Sequence, residues 1–502
     1  MKWHRSLGEA LRAAQESQKL IWVFVKHPAS PLSAKSEEGY EERDVVDHLT
    51  RFFEPLKLEA DEDQATVMSL AALAPSTVPA GLWPLHGVLT SDGRPLFACH
   101  GLQPRGPQGV GMYMARVKWL WLQEREKMEL AAQELTGAVD KTWEGQISIE
   151  PESLALDESL VLPGGELLAL GAGAAEALKA AALRGFRDPL TGRWRETLIE
   201  EGRVMLGSTL RATAVATLVA LGCADADEGA AFLAREGLRA LEGLIEGGMP
   251  RSAEVPYDHR RSFVVSLLSP AQALKVFGPN LGPEVIQKWG LERGWVDPAQ
   301  EENRLKASAP LWQGGEEGFD WVMTHDLVGH TPLVPLSKGV GASSCLFALI
   351  LLLRGTGQDR WRQALAQAAQ ACETLPSCWT ERKGWHGQGG FEECAALAWA
   401  WRELGDGAAA DKALRRGLEF FDALTQRRQA PFQSPTWTID WVTPSPLALL
   451  VRGAVGCQDQ ALLDRLSAVI ERAKELHPSQ GASRAGLSWA EGCVKEEKKG
   501  KA

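Results

Sequence analysis

The chain has no pair of cysteines at the spacing that redox or zinc chemistry uses. Its eight cysteines stand at 99, 223, 345, 372, 378, 394, 457 and 493, and none belongs to a Cys-x-x-Cys. Cys372 and Cys378 are six residues apart, a separation that does not align two side chains on one helix face. Scattered thiols, with no basic-then-apolar leader at the start, give the expectation of a reducing, cytoplasmic setting. Long apolar runs are missing too. Cys345–Leu353 falls well short of the about 20 residues that span a bilayer, so no membrane insertion is expected. Clustered positive charge is also scarce: the formal net charge is −11, which argues against binding nucleic acid through released counterions. The one basic run, Lys495–Lys501, is interrupted by Glu496 and Glu497 and reads as a solvated tail.

What is present suits a folded protein with a large core. Hydrophobic residues make up 45% and charged residues 24% of 502, ordinary proportions for a globular chain. That length holds about three average domains, although a ring of twelve helices absorbs most of it as one. Nineteen tryptophans stand against three tyrosines. Indoles fill cores, stack on sugars and anchor interfaces, so position rather than number separates these roles.

The first 105 residues alternate helix and strand. Trp3–Ser17 carries apolar residues at helical spacing, Leu20–Phe24 is an apolar strand run, Tyr40–Phe53 is helical and Phe53–Leu58 is a second strand. His86–Leu89 and Pro95–Cys99, joined by Ser91-Asp92-Gly93, make a hairpin. Beyond Gly111 the pattern is almost wholly helical, with stripes over Met112–Leu135, Glu166–Leu183, Val204–Leu221, Glu228–Leu244, Glu284–Leu291, Val340–Leu353, Trp361–Leu375, Phe391–Leu404, Ala408–Leu424, Pro446–Val455 and Gln460–Leu476. Asp140–Gly165 and Val296–Pro335 lack such periodicity and read as long loops, which more often bind than pack. No fixed sequence period indicates a solenoid.

The run Lys19–Glu59, followed by Gly81-Leu82-Trp83-Pro84-Leu85-His86-Gly87-Val88 and Asp92-Gly93-Arg94-Pro95-Leu96-Phe97, resembles the first domain of the YyaL family, thioredoxin-domain proteins related to spermatogenesis-associated proteins. Weaker likenesses follow at Phe263–Pro270, at Gly390-Phe391-Glu392-Glu393-Cys394 and at Asp440-Trp441-Val442-Thr443-Pro444-Ser445. The resemblance implies an α/β thioredoxin-like domain over 1–105, an all-α (α/α)6 toroid similar to six-hairpin glycosidases and epimerases over 106–490, and a charged tail over 491–502. It also implies a cis bond at Trp83-Pro84, with Pro84 facing the motif turn. Where the family carries Cys-x-x-Cys, this chain has Ala29 and Leu32 in His27-Pro28-Ala29-Ser30-Pro31-Leu32. The family's Trp-Asn-Gly falls near Ser343-Ser344-Cys345, its Pro-Ser-Gly-Asn becomes Pro444-Ser445-Pro446-Leu447, and its His-Phe-Glu-Lys-Met-Leu-Tyr stretch survives mainly as Met205-Leu206.

A turn without sulfur has neither the attacking nor the resolving thiolate of disulfide exchange. The expectation is therefore a scaffold that has kept its apolar frame and lost its reactive groups: a non-catalytic binding or scaffold protein, holding a protein partner or joining a larger assembly. The alternative is a carbohydrate epimerase or glycoside hydrolase, with a sugar ligand in the toroid. Glu393 and Asp440 are then the acid and base, with Asp188 of Arg187-Asp188-Pro189-Leu190-Thr191-Gly192-Arg193-Trp194 as a third candidate. Glu392 joins the binding candidates, as do Trp194, Trp385, His386, Trp437 and Trp441, aromatic and polar residues beside turns; Trp312 shares that setting, whereas Trp119, Trp121, Trp399 and Trp401 read as core or interface. Acids at 392 and 393 equally suit a helix start through the dipole. His325 and His330, with Asp320 and Asp326, lack the i, i+4 spacing of helical zinc ligands, so no metal and no cofactor are expected.

Overall fold

The computed structural model describes residues 2–26, 31–59, 64–74, 84–102, 105–106, 109–143, 162–188, 191–195, 198–200, 203–204, 210–246, 249–250, 270–288, 315–325, 340–376, 378–380, 384–386, 389–426, 430–433, 444–476 and 485–500. The chain divides into two compact units: one of Met1–Pro151, Leu418–Ile439 and Arg465–Ser479, the other of Glu152–Gly417, Asp440–Asp464 and Gln480–Ala502.

The first unit is built on a four-stranded mixed sheet. In order come α1 (Leu7–Ser17), β1 (Leu20–Lys26), α2 (Pro31–Gly39), α3 (Arg43–Phe52), β2 (Phe53–Glu59), α4 (Gln64–Leu73), β3 (Leu85–Leu89), β4 (Pro95–His100), α5 (Val110–Gln123) and α6 (Arg125–Trp143). The strand order is β2-β1-β3-β4. β1 and β2 run parallel, which requires the helical crossover that α2 and α3 supply. β3 lies antiparallel to both β1 and β4. β1 is apolar on both faces because both faces are covered. Ile21, Val23 and Val25 meet α1 and α4, while Leu20, Trp22 and Phe24 meet α3, α5 and α6. Each such side chain, fully buried, contributes on the order of 1.5–3 kcal/mol. The α1 and α4 side is completed from far along the chain by Ala430 and Phe432, and Gln433 Nε2 donates to Thr66 Oγ1 (3.3 Å). Gly93, at φ +84°, lets the β3–β4 turn approach Ala430.

The second unit is mostly helical. Its elements are α7 (Gly164–Ala169), α8 (Ala174–Ala181), β5 (Leu198–Glu200), β6 (Arg203–Val204), α9 (Leu210–Cys223), α10 (Glu228–Leu244), β7 (Ile245–Glu246), β8 (Met249–Pro250), α11 (Pro270–Lys288), α12 (Gly315–Thr324), β9 (Val340–Gly341), α13 (Ala342–Thr356), α14 (Asp359–Ala371), β10 (Cys378–Thr380), β11 (Gly384–His386) and α15 (Phe391–Leu404). Next come α16 (Gly407–Gln426), α17 (Pro446–Gly453), α18 (Gln460–Leu476) and α19 (Ala485–Gly500); α16 and α18 each run across a division between the units. α7 packs on α9, α9 on α13, α13 on α15, α15 on α17, α17 on α19, and α19 on α7. α9, α13, α15 and α17 are buried on nearly every side over most of their length, as expected of helices surrounded by other helices. α14 instead buries only Trp361, Ala364, Leu365, Ala368 and Ala369, a single stripe. No helix among the described residues is long and apolar enough to cross a membrane.

Several elements differ from the sequence reading. The stripe over Met112–Leu135 is two helices that part at Glu124. Glu166–Leu183 is interrupted by a tight turn at Gly171, whose φ is +56°. The expected loop Val296–Pro335 contains α12, because Phe319 and Val322 find a core and Phe319 packs edge-on against Phe232 at 5.9 Å. A helix this short carries too few apolar positions to show a period.

Candidate functional site

Four of the buried helices of the second unit begin with polar residues that are themselves inside: Thr213 on α9, beside the half-buried Arg211, Ser343 and Ser344 on α13, Glu392 and Glu393 on α15, and Ser445 before α17. A helix start leaves backbone N–H groups without intrahelical acceptors and carries partial positive charge, so acids and hydroxyls settle there. Ser445 Oγ accepts from Ala448 N at 3.2 Å and Pro446 follows at the first helical position, a standard opening. Gly390 N donates to Glu393 Oε2 at 2.7 Å. Ser343 Oγ donates to Glu392 Oε1 at 2.9 Å and so joins α13 to α15. A Cβ on Gly389 would meet Glu393 Cγ at 2.8 Å, so only glycine lets the chain turn this close to the carboxyl.

Glu392 and Glu393 are 8% and 7% exposed, so little water screens them from each other. Burial first, and then the charge of Glu392, push the Glu393 carboxyl above the usual carboxylate range, against its backbone hydrogen bonds and the attraction of Arg211. Glu393 therefore holds its proton at pH values where an ordinary glutamate has lost it. Cys372 lies close enough for Glu393 to act on it; burial, and secondarily that charge, raise its thiol to about 12.

Of the residues singled out in the sequence, the structure brings Glu392 and Glu393 together with Ser343. Trp385 and His386 lie on β11, which pairs with β10 and through it with β9, the strand that leads into α13. Both are half-buried, and His386 Nδ1 is 2.8 Å from the Gly384 carbonyl. Asp188 belongs to a different segment, where its Oδ2 accepts from Thr191 Oγ1 at 2.8 Å. Trp194 is 1% exposed and packed as core. Asp440, Trp437, Trp441 and Trp312 lie outside the described residues, as do Asp326 and His330. His325, just after α12, stacks on Trp321 at 4.4 Å. Among the described residues no three His, Cys, Asp or Glu side chains gather as a metal site. A cavity of about 750 Å³ lies at the other ends of α9, α13 and α17, lined among others by Leu218, Arg354, Arg452 and Trp489. It does not touch the carboxyl pair.

In the first unit, Ala29 and Trp83 are outside the described residues, Leu32 lies in α2, and Pro84 is buried with its carbonyl accepting from Gly101 N at 2.8 Å. Cys99 pairs with His86 across β3 and β4, and burial raises its thiol to about 12.

Residues 1–140 match a protein family named Thioredox_DsbH and described as "Protein of unknown function, DUF255". The match supports a thioredoxin-like family for that part of the chain. No curated protein matches the sequence.

Proposed function

We propose that the protein is a non-catalytic binding or scaffold component, a thioredoxin-like domain joined to an (α/α)6 toroid of the YyaL type. The cycle of packing from α7 through α9, α13, α15, α17 and α19 back to α7 supports the toroid. The observation that carries the function is the state of the sulfur. The motif turn has no cysteine, and the thiol of the half-buried Cys99 is raised by desolvation to about 12. A thiol at that value is almost entirely protonated at neutral pH and makes a poor nucleophile.

The buried carboxyl pair favours one second reading, carbohydrate chemistry. A general acid must keep a proton near neutral pH until the leaving group takes it, and burial gives Glu393 that property. One set of assays separates the readings. The full chain is expected not to accelerate insulin reduction by dithiothreitol, with or without Cys99→Ser, and not to turn over a panel of nitrophenyl glycosides. Glycoside turnover that Glu393→Gln abolishes would replace the binding reading by the enzyme, and insulin reduction would overturn the redox part.

A further inference from the structure

Within nine residues of the second unit stand three buried arginines: Arg187, Arg193 and Arg195 are 4%, 2% and 7% exposed. Their segment folds back on itself. Arg195 N donates to Phe186 O (2.7 Å), Asp188 N to Arg193 O (2.8 Å) and Gly192 N to Asp188 O (2.8 Å), and Arg187 bridges Trp194. Trp194 N donates to Thr213 Oγ1 (3.0 Å), which docks the hairpin on the first turn of α9. That register puts Arg193 and Arg195 on the same side as Asp188 and Arg187 on the side of Trp194, although Arg187 stays close enough for the charges of Arg195 and Asp188 to act on it.

The guanidinium groups are poorly supplied with acceptors. Arg195 Nη1 donates to Gly185 O at 2.8 Å. Arg187 Nη2 is 3.6 Å from Glu236 Oε2, beyond hydrogen-bond length, and Glu236 is shared with Arg239 Nη1 at 3.3 Å. Among the described residues, Nε and Nη2 of both Arg187 and Arg193, and Nε of Arg195, have no acceptor. Burial pulls all three below the usual arginine range, that of Arg193 to about 10, although Asp188 attracts each of them. Among the described residues, three cations thus face two carboxylates, one of which also serves Arg239. Cations removed from water without acceptors are costly, and buried donors left over call for a partner. Planar guanidinium forks fit the paired oxygens of carboxylates and phosphates.

We propose that Arg187, Arg193 and Arg195 form a buried receptor for the oxyanion of a small ligand, a carboxylate or a phosphate monoester, with Arg193 its principal donor. The receptor does not depend on Glu393 being an acid catalyst, although Arg211, whose charge acts on Glu393, is only two residues from Thr213.

The test is titration and thermal unfolding of the full chain with inorganic phosphate and with acetate, each against sodium chloride at matched ionic strength. One of the two oxyanions is expected to bind and to raise the midpoint; the stronger response assigns phosphate ester or carboxylate. Arg193→Met is expected to leave the anion-free midpoint unchanged or higher, since an uncompensated cation is gone, while weakening that anion at least about tenfold. Arg193→Lys, which keeps the charge and loses the fork, is expected to weaken it by about the same factor. The proposal is overturned if neither oxyanion outdoes chloride, or if both variants bind the anion as the wild type does.

Discussion

His86 shows how one buried polar ring sets an acid limit on the first unit. Neither ring nitrogen has a hydrogen-bond partner among the described residues, and the ring lies among Trp22, Phe24 and Tyr40 at 6.2, 5.3 and 6.2 Å. Burial, and secondarily His100, pull it down to about 3. The folded value lies below the unfolded one of about 6.5. The unfolded chain therefore takes up the proton first, and stability falls as pH drops through that window by about 1.4 kcal/mol per unit. Urea unfolding at pH 7 and pH 4.5 is expected to show His86→Phe losing roughly 2–3 kcal/mol less than the wild type between the two values, because any packing cost is common to both. Equal losses would exclude His86 as the source. Glu393 has the opposite sign. Its folded value lies above the unfolded one of about 4.3, so its contribution is complete below that value and is lost as pH rises toward the folded one. Glu393→Gln keeps an oxygen for Gly390 N and is expected to gain more than about 1 kcal/mol over the wild type between pH 5 and pH 8. A parallel course for the two proteins would show that the carboxyl ionises normally. Candidates of this kind were legible as residue types: Glu392 and Glu393 stood out as acids opening a helix. Their partner Ser343 did not, because it lies 49 positions away and no local pattern links them.

Among the elements, α19 is the one whose removal interrupts the proposed ring. It packs on both α17 and α7, buries Leu487 and Ala490, and sets Trp489 6.3 Å from Trp399. A chain ended before Ala485 is expected to unfold with a lower midpoint, by the equivalent of about 2–5 kcal/mol, followed by tryptophan fluorescence. A chain ended after Val494 serves as the control and is expected to match the full protein. Similar midpoints for both truncations would remove α19 from the ring. Helices such as α10 and α14 were legible from their single stripe, and α9 and α13 from being apolar all round. Short pieces were not: α2 and α4 have almost no apolar period, and their place comes from the crossover and the sheet they cover.

For the whole molecule, a charge of −11 coexists with a buried group of three arginines, so the overall balance says little about the local field at a site. The sequence by itself determined the alternation of helix and strand at the start, the helical remainder, the missing sulfur at 29 and 32, and the acids at 392 and 393, because period, propensity and residue chemistry are local properties. Only the tertiary structure decided that residues 430–433 complete the first unit's core, that α7 and α19 meet, that burial beside Glu392 raises the Glu393 carboxyl, and that Arg193 is enclosed with its Nε and Nη2 lacking acceptors among the described residues. Each of these depends on burial and on contacts between distant segments, and a linear pattern carries no record of which surfaces exclude water together.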